Sequence, residues 1–425
     1  MINISKLYCG GESASDWLRY GEGPVPGPPG HGAAAPKAAS DRRPVVVWNS
    51  TRACNLRCLH CYTDSDPRAG RDELTTDEAR VVLGDLAAFG VPALLLSGGE
   101  PLLRRDLFDL ADYARALSLR CTLSTNGTLI TEDAARRIQQ AGFTYVGISL
   151  DGVDEVNDHF RGSVGAFEKA MRGFRNCVAL GQRVGLRMTL TRHNFGDLDK
   201  IFDFVERERI DRVCFYHLAY SGRGSRMTTE DLAPEETRRA MDLILDRTDD
   251  FHRRGLDKEI LTVDNHVDGV YLYLRLRAKD PARAEQVLAR IRWNGGGLYS
   301  SGVGLGEIDW AGNVHPDQFW LHYSFGNVRR RPFSLIWDDT SDPLMRGLKD
   351  RRSHIRGQCR RCRYFDACGG SLRVRADAIY GDPWAWDPAC YLTDEEIGLT
   401  PADVAELRAA GDYYDRPVHH EVGKT

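Results

Sequence analysis

Residues 48–66 read WNSTRACNLRCLHCYTDSD and place Cys54, Cys58 and Cys61 in the spacing C-x3-C-x2-C, directly after an apolar, strand-like run from Val45 to Trp48. Three soft thiolates this close together can hold three irons of a cubane iron–sulfur cluster. No fourth cysteine lies within reach, so the fourth iron would keep an open position. Such an iron can bind and reduce a ligand, whereas a fully ligated cluster can only pass electrons. Zinc is the competing reading, because His60 could complete a set of four ligands.

Outward from this segment the pattern is regular. Short Leu-rich or β-branched runs, PVVVWN, ALLLSGG, RCTLSTNG, YVGISLDG, VGLRMTLT and VCFYHLAY, alternate with amphipathic stretches. The predicted helices cover Thr76–Gly90, Asp106–Leu117, Glu132–Gly142, Ala166–Gly181 and Leu198–Arg209, and Thr75 with Glu78 forms a capping box ahead of the first. Six β-α repeats imply an α/β fold with a parallel sheet and right-handed crossovers. Six strands are too few for an eight-fold barrel, so the expected architecture is an open, partial (β/α)6 barrel. Functional groups of such sheets gather at the strand C-terminal ends.

The flanks differ in character. Residues 21–41, GEGPVPGPPGHGAAAPKAASD, read as a Gly/Pro-rich linker. Residues 230–292 look helical and charged, and Ala311-Gly312-Asn313 between EIDW and VHPDQFW signals a hairpin. Cys359, Cys362, Cys368 and Cys390 then fall in a small, cysteine-dense region that needs a metal to fold. The expected domains are an N-terminal segment 1–42, the barrel 43–230, a bridging helical region and hairpin 231–335, an auxiliary metal domain 336–394 and a C-terminal tail 395–425. The 425 residues carry a net charge of −4, with 42% apolar and 28% charged residues, so no nucleic-acid partner is indicated. No apolar run reaches membrane-spanning length and Met1–Gly10 has no secretory core, so the expected compartment is the cytoplasm. Eleven cysteines there suggest metal rather than disulfides. Cys121, Cys177 and Cys214 read as small buried hydrophobes; Cys9 lies outside the pattern.

Each strand end carries polar groups. Gly98 and Gly99 let the backbone approach a ligand, and Glu100 can accept from an ammonium group; an ordinary Gly-rich turn is the alternative. Ser124, Thr125 and Asn126 end the third strand, Ser149 and Asp151 the fourth. A carboxylate at a strand end can take a ribose hydroxyl pair, and Arg187 could clamp a carboxylate with its fork. Turn residues and surface ion pairs are the bland readings of each.

C-x3-C-x2-C followed by GGEP, STNG, SLDG and a strand-borne arginine resembles the radical S-adenosylmethionine (SAM) superfamily over residues 45–220. The resemblance implies that Cys54, Cys58 and Cys61 hold a 4Fe–4S cluster whose open iron is chelated by SAM. One electron, from an external donor such as flavodoxin or ferredoxin, then yields methionine and a 5′-deoxyadenosyl radical. It also implies that Gly98, Gly99, Glu100, Ser124, Asn126, Ser149, Asp151 and Arg187 bind SAM. The position before Cys61 departs from the aromatic common in that superfamily; it is His60, and Tyr62 follows.

The second set, C-x2-C-x5-C and Cys390, resembles the auxiliary-cluster extensions called SPASM or twitch domains. Leu372 and Pro316-Asp317 stand where the full pattern has further cysteines, which implies one auxiliary 4Fe–4S cluster on Cys359, Cys362, Cys368 and Cys390; a zinc ribbon is the alternative. Beyond these motifs, NISKLYCG, FYHLAYSGRGSR, VDNHVDGVYLY, WNGGGLYSSGVG and GDPWAWDPACYLTDEEIG are similar to the radical enzymes of alternative haem and haem d1 biosynthesis, most of all to the 12,18-didecarboxysiroheme deacetylases. That similarity implies a tetrapyrrole substrate losing two acetate arms to give iron-coproporphyrin III. The sister families decarboxylate iron-coproporphyrin III to haem b or replace propionates by oxo groups, and peptide modification is a further alternative. A flat, iron-bearing, carboxylate-rich ring needs an apolar slot, cationic anchors and an axial ligand. The candidates are His217 with Tyr216, Arg223, Arg226 and His266, then Tyr299, His315, Trp320 and His322. The arginines from Arg351 to Arg363 read as a solvated face.

Overall fold

The computed structural model describes residues 1–13, 16–20, 42–68, 70 and 72–415. The linker expected at 21–41 lies outside the described residues. The strands are β1 (Ile2–Asn3), β2 (Val45–Asn49), β3 (Leu94–Ser97), β4 (Cys121–Thr125), β5 (Val146–Ser149), β6 (Val184–Leu190), β7 (Arg212–His217), β8 (Glu259–Val263), β9 (Leu305–Ile308), β10 (Asn313–His315) and β11 (Gly326–Asn327). They form one sheet in the order β1-β8-β7-β6-β5-β4-β3-β2-β9-β10-β11. From β8 through β2 to β9 all neighbours are parallel. β1, β10 and β11 add antiparallel edges.

The six expected strands are β2 to β7. The sheet continues past them on both sides. β8, EILTV, lies inside the stretch read as helical, and it extends the parallel sheet beyond the expected boundary at residue 230. The first arm of the predicted hairpin also pairs with β2, Val47 standing opposite Glu307. The barrel is therefore open and partial, and wider than six strands.

Strand alternation separates two chemistries. Val46, Trp48, Leu94, Leu96, Leu123, Val146, Ile148, Leu186, Met188, Val213 and Phe215 are buried in the main core. Their alternates Val47, Leu95, Ser97, Ser124, Ser149, Arg187, Thr189 and Tyr216 line a cleft inside the sheet's curve. The apolar face recruits the helices Thr76–Phe89, Leu107–Ala116, Glu132–Gln140, Ala166–Ala179 and Leu198–Arg207, each within about two residues of its expected bounds. Thr75 and Glu78 make the capping box, with Glu78 Oε2 accepting from Thr75 N at 2.9 Å.

The auxiliary region packs on the barrel instead of hanging from it. Arg375 forks onto Asp387 at 3.0 and 2.8 Å, and its remaining nitrogen donates to the Asp264 carbonyl at 2.8 Å, just past β8. Both side chains are fully buried, so losing either would strand a charge at a cost of about 3–5 kcal/mol. Arg351, expected on a solvated face, is buried and donates to the Gly369 and Ser371 carbonyls at 3.0 Å each. Its neighbours Arg352, Arg360 and Arg361 are exposed as expected. Among the described residues no helix is long and apolar enough to cross a membrane.

Candidate functional site

The cysteine loop is tied to the end of β3 by backbone bonds and by Tyr62 OH, 3.1 Å from Ser97 Oγ. Gly99 N donates to Thr51 O and Glu100 N to Ala53 O, both at 2.7 Å. A Cβ on Gly99 would stand 2.1 Å from Ala53 O, so the glycine gives room to the cysteine loop itself. Gly99→Ala is expected to lift that loop from the sheet, lowering stability by roughly 3 kcal/mol and halving the iron bound after reconstitution. Iron analysis with thermal unfolding checks this; wild-type values in both would contradict it.

Arg223 holds the loop from the far side. Its Nε donates to Cys58 O at 2.8 Å, its Nη1 reaches Asp64 Oδ1 at 2.9 Å, and its backbone N donates to Cys61 O at 2.9 Å. Arg223 lines the cleft, and while Nε and Nη1 hold the loop, its Nη2 is buried with no partner. Each sulfur meets a polar group. Asn126 Nδ2 lies 3.9 Å from Cys54 Sγ, Arg161 Nη1 3.6 Å from Cys58 Sγ, and Thr63 and Ser65 hydroxyls 3.3 and 3.4 Å from Cys61 Sγ. Burial pushes the Cys54 thiol up to about 12. Burial acts on Cys61 too, but the Ser65 and Thr63 hydrogen bonds outweigh it and hold that thiol below its ordinary value.

Cys54, Cys58 and Cys61 open onto a cleft walled by Gly98, Gly99, Ser124, Asn126, Ser149, Asp151 and Arg187 on the strand ends and by Tyr62, His217, Leu218, Ala219 and Phe319 beyond them. Arg187 donates to Ser124 Oγ, and its Nε is buried with no partner. A guanidinium so placed fits a ligand carboxylate.

Several expected residues have other work. Glu100 is buried behind the wall, where it accepts from Thr125 Oγ1 at 2.7 Å, Asn126 N at 2.8 Å and Leu102 N at 3.1 Å; it pins β3 to β4 and does not face the cleft. Burial raises its carboxyl to about 7. Asp151 does line the cleft, and its carboxylate is held by Arg161 at 2.5 Å and His60 at 3.2 Å. His60 is thus a partner of Asp151. Arg226 is exposed and His266 sits behind the cleft under Ser371, so neither borders it. Tyr299, His315, Trp320 and His322 do not border it either. Sequence reasoning missed Arg161, ten residues after Asp151 of the SLDG motif on a short helix, Glu155–Arg161, and it missed Phe319 and Gln318 beside the hairpin.

Cys359, Cys362, Cys368 and Cys390 line a second, small apolar cavity with Val267, Val270, Tyr364, Phe365, Trp386, Leu392 and Ile397. A Cβ on Gly296 would stand 2.4 Å from Ala367 O, which explains the glycines of the WNGGGLY stretch. Both cysteine sets wall a cavity, and among the described residues no three His, Cys, Asp or Glu side chains are grouped as for one metal ion. Three thiolates in one set and four in the other are donors that suit a 4Fe–4S cluster.

The chain matches the radical SAM superfamily over residues 48–205 and the SPASM iron–sulfur cluster-binding domain over residues 305–363. It is 52% identical to an Fe-coproporphyrin III synthase of Methanosarcina barkeri, across 95% of this chain and 100% of that one. The chain is a radical SAM enzyme of alternative haem biosynthesis. This radical SAM enzyme is also 45% identical to a pre-heme d1 synthase of Dinoroseobacter shibae, over 88% of this chain and 93% of that one. In fold it resembles SuiB of Streptococcus suis solved with S-adenosylmethionine, with a TM-score of 0.62, 17% identity and coverage of 83% of this chain and 78% of that one. Its cofactors are two 4Fe–4S clusters and SAM, as the family and its SPASM domain require.

Proposed function

We propose that this enzyme removes the two acetate arms of 12,18-didecarboxysiroheme to give iron-coproporphyrin III. The observation that carries the reading is the 52% identity, over the full length of the relative, to a protein named for making that product. Cys54, Cys58 and Cys61 would hold the SAM-binding cluster; Cys359, Cys362, Cys368 and Cys390 would hold the auxiliary one. When bound, the first cluster with SAM supplies a carbon radical able to abstract hydrogen from an unactivated position, its electron coming from an external one-electron donor of the flavodoxin or ferredoxin kind.

The chain's own residues orient and exclude. Arg187 offers its unpaired Nε to the carboxylate of SAM, and Ser149, Asn126 and the Gly98–Gly99 backbone complete the wall beside the cysteines. Tyr62 and Phe319, edge to face at 5.4 Å, form the aromatic side of a slot with Leu218 and Ala219 that suits a flat macrocycle and keeps water from the radical. The second reading, replacement of propionates by oxo groups, is favoured by the 45% identity to a pre-heme d1 synthase.

Parallel anaerobic incubations with 12,18-didecarboxysiroheme and iron-coproporphyrin III, read by mass, test the proposal. The first should give iron-coproporphyrin III, and the second should be recovered unchanged because it has no acetate arms. Haem b from the second, or a dioxo product from the first, would overturn it.

A further inference from the structure

His217 ends β7 at the mouth of the cleft, and its Nε2 lies 2.9 Å from Asp268 Oδ2. Asp268 is fully buried in the first turn of the helix Val267–Arg277, and its other oxygen accepts from Tyr391 OH at 2.9 Å. Tyr391 is itself buried, packs edge-on against Tyr271 at 5.4 Å, and immediately follows Cys390 of the auxiliary set. Both carboxylate oxygens are therefore committed. The Nε2 edge of the imidazole faces this carboxylate, and among the described residues its Nδ1 has no hydrogen-bond partner, in a residue that lines the cleft.

A histidine fixed from behind by a buried carboxylate, with its second nitrogen open to a cavity, is the usual arrangement of a metal-ligating imidazole. Among the described residues, His60, His315 and His322 lack it. His60 borders the cleft, but its Nδ1 is sealed within the protein and its Nε2 faces Asp151. His315 is turned to the Tyr323 carbonyl at 2.7 Å, and His322 to Asp377 at 2.8 Å on the surface.

We propose that His217 is the axial ligand to the iron of the tetrapyrrole, with Asp268 and Tyr391 as positioning residues that set its ring and its donor strength. The proposal rests on the tetrapyrrole reading above and deepens it. It gives a role to the NHVDG and ACYL stretches, which meet at this carboxylate, and it joins the auxiliary cysteine set to the cleft through Cys390, Tyr391, Asp268 and His217 in turn.

The test uses the full-length, cluster-loaded protein with ferrous iron-coproporphyrin III and, separately, metal-free coproporphyrin III. Resonance Raman of the iron complex should show an iron–imidazole stretch in the wild type. His217→Ala should lose it, and should weaken binding of the iron form by about 10–100-fold while leaving that of the metal-free ring unchanged. Added imidazole should restore the stretch in His217→Gly. Asp268→Asn should lower its frequency, because a neutral partner makes the imidazole a weaker donor. Tyr391→Phe should raise it, because the carboxylate then gives more to the ring. A stretch that persists in His217→Ala, or a wild type that binds both rings with no nitrogen ligand, would overturn the axial role and leave the tetrapyrrole reading standing. A wild type that binds neither ring would overturn that reading itself.

Discussion

Replacing Cys54, Cys58 and Cys61 together by alanine is expected to abolish cleavage of S-adenosylmethionine and to lower the iron of the reconstituted protein from about eight to about four per chain. The change is confined to one site. Those cysteines pack in a small group with Leu56 and Ala166, apart from the main core. The loop is held instead by Arg223 and by backbone bonds to Gly99 and Glu100. The barrel should therefore stay folded, and the auxiliary cluster should stay in place. Anaerobic iron and sulfide analysis beside an assay for 5′-deoxyadenosine checks both halves. Cleavage that survives the triple change would rule out these cysteines as the SAM-binding set.

The second large effect comes from the other set. Cys368→Ala with Cys390→Ala should abolish iron-coproporphyrin III formation and leave uncoupled cleavage of S-adenosylmethionine. The four sulfurs lie in a cavity walled by apolar side chains, which suits a closed cluster passing electrons and not one binding substrate. The same cavity rests on the helix Val267–Arg277, so loss of the metal could loosen the region that anchors Asp268. Thermal unfolding of the variant separates the two causes. A variant folded as the wild type and still forming product would make the auxiliary cluster structural.

Much of the barrel was legible because its apolar strand face and amphipathic helices obey simple periods. The strand β8 was not. Its five residues sit between long charged helices, and the polar start of EILTV blurs into them. The site was legible where chemistry lies in the local pattern, as in the two cysteine sets and Arg187. It was not legible where burial decides the role. Glu100, Asp151 and Arg223 occupy motif positions, yet each spends its charge or its hydrogen bonds on the loop and strands around the cysteines. Conversely, Arg161, Asp268 and Arg375 look like surface residues in sequence. Their partners, Asp151, His217 and Asp387, lie between 10 and 51 residues away and meet them only in the fold.

Acetate removal by two successive radical events fixes the amount of 5′-deoxyadenosine formed per iron-coproporphyrin III from 12,18-didecarboxysiroheme. The expected ratio is two, one for each arm, with a monodeacetylated species of intermediate mass appearing first. A ratio of one at full conversion, or consumption of S-adenosylmethionine with no iron-coproporphyrin III, would contradict it.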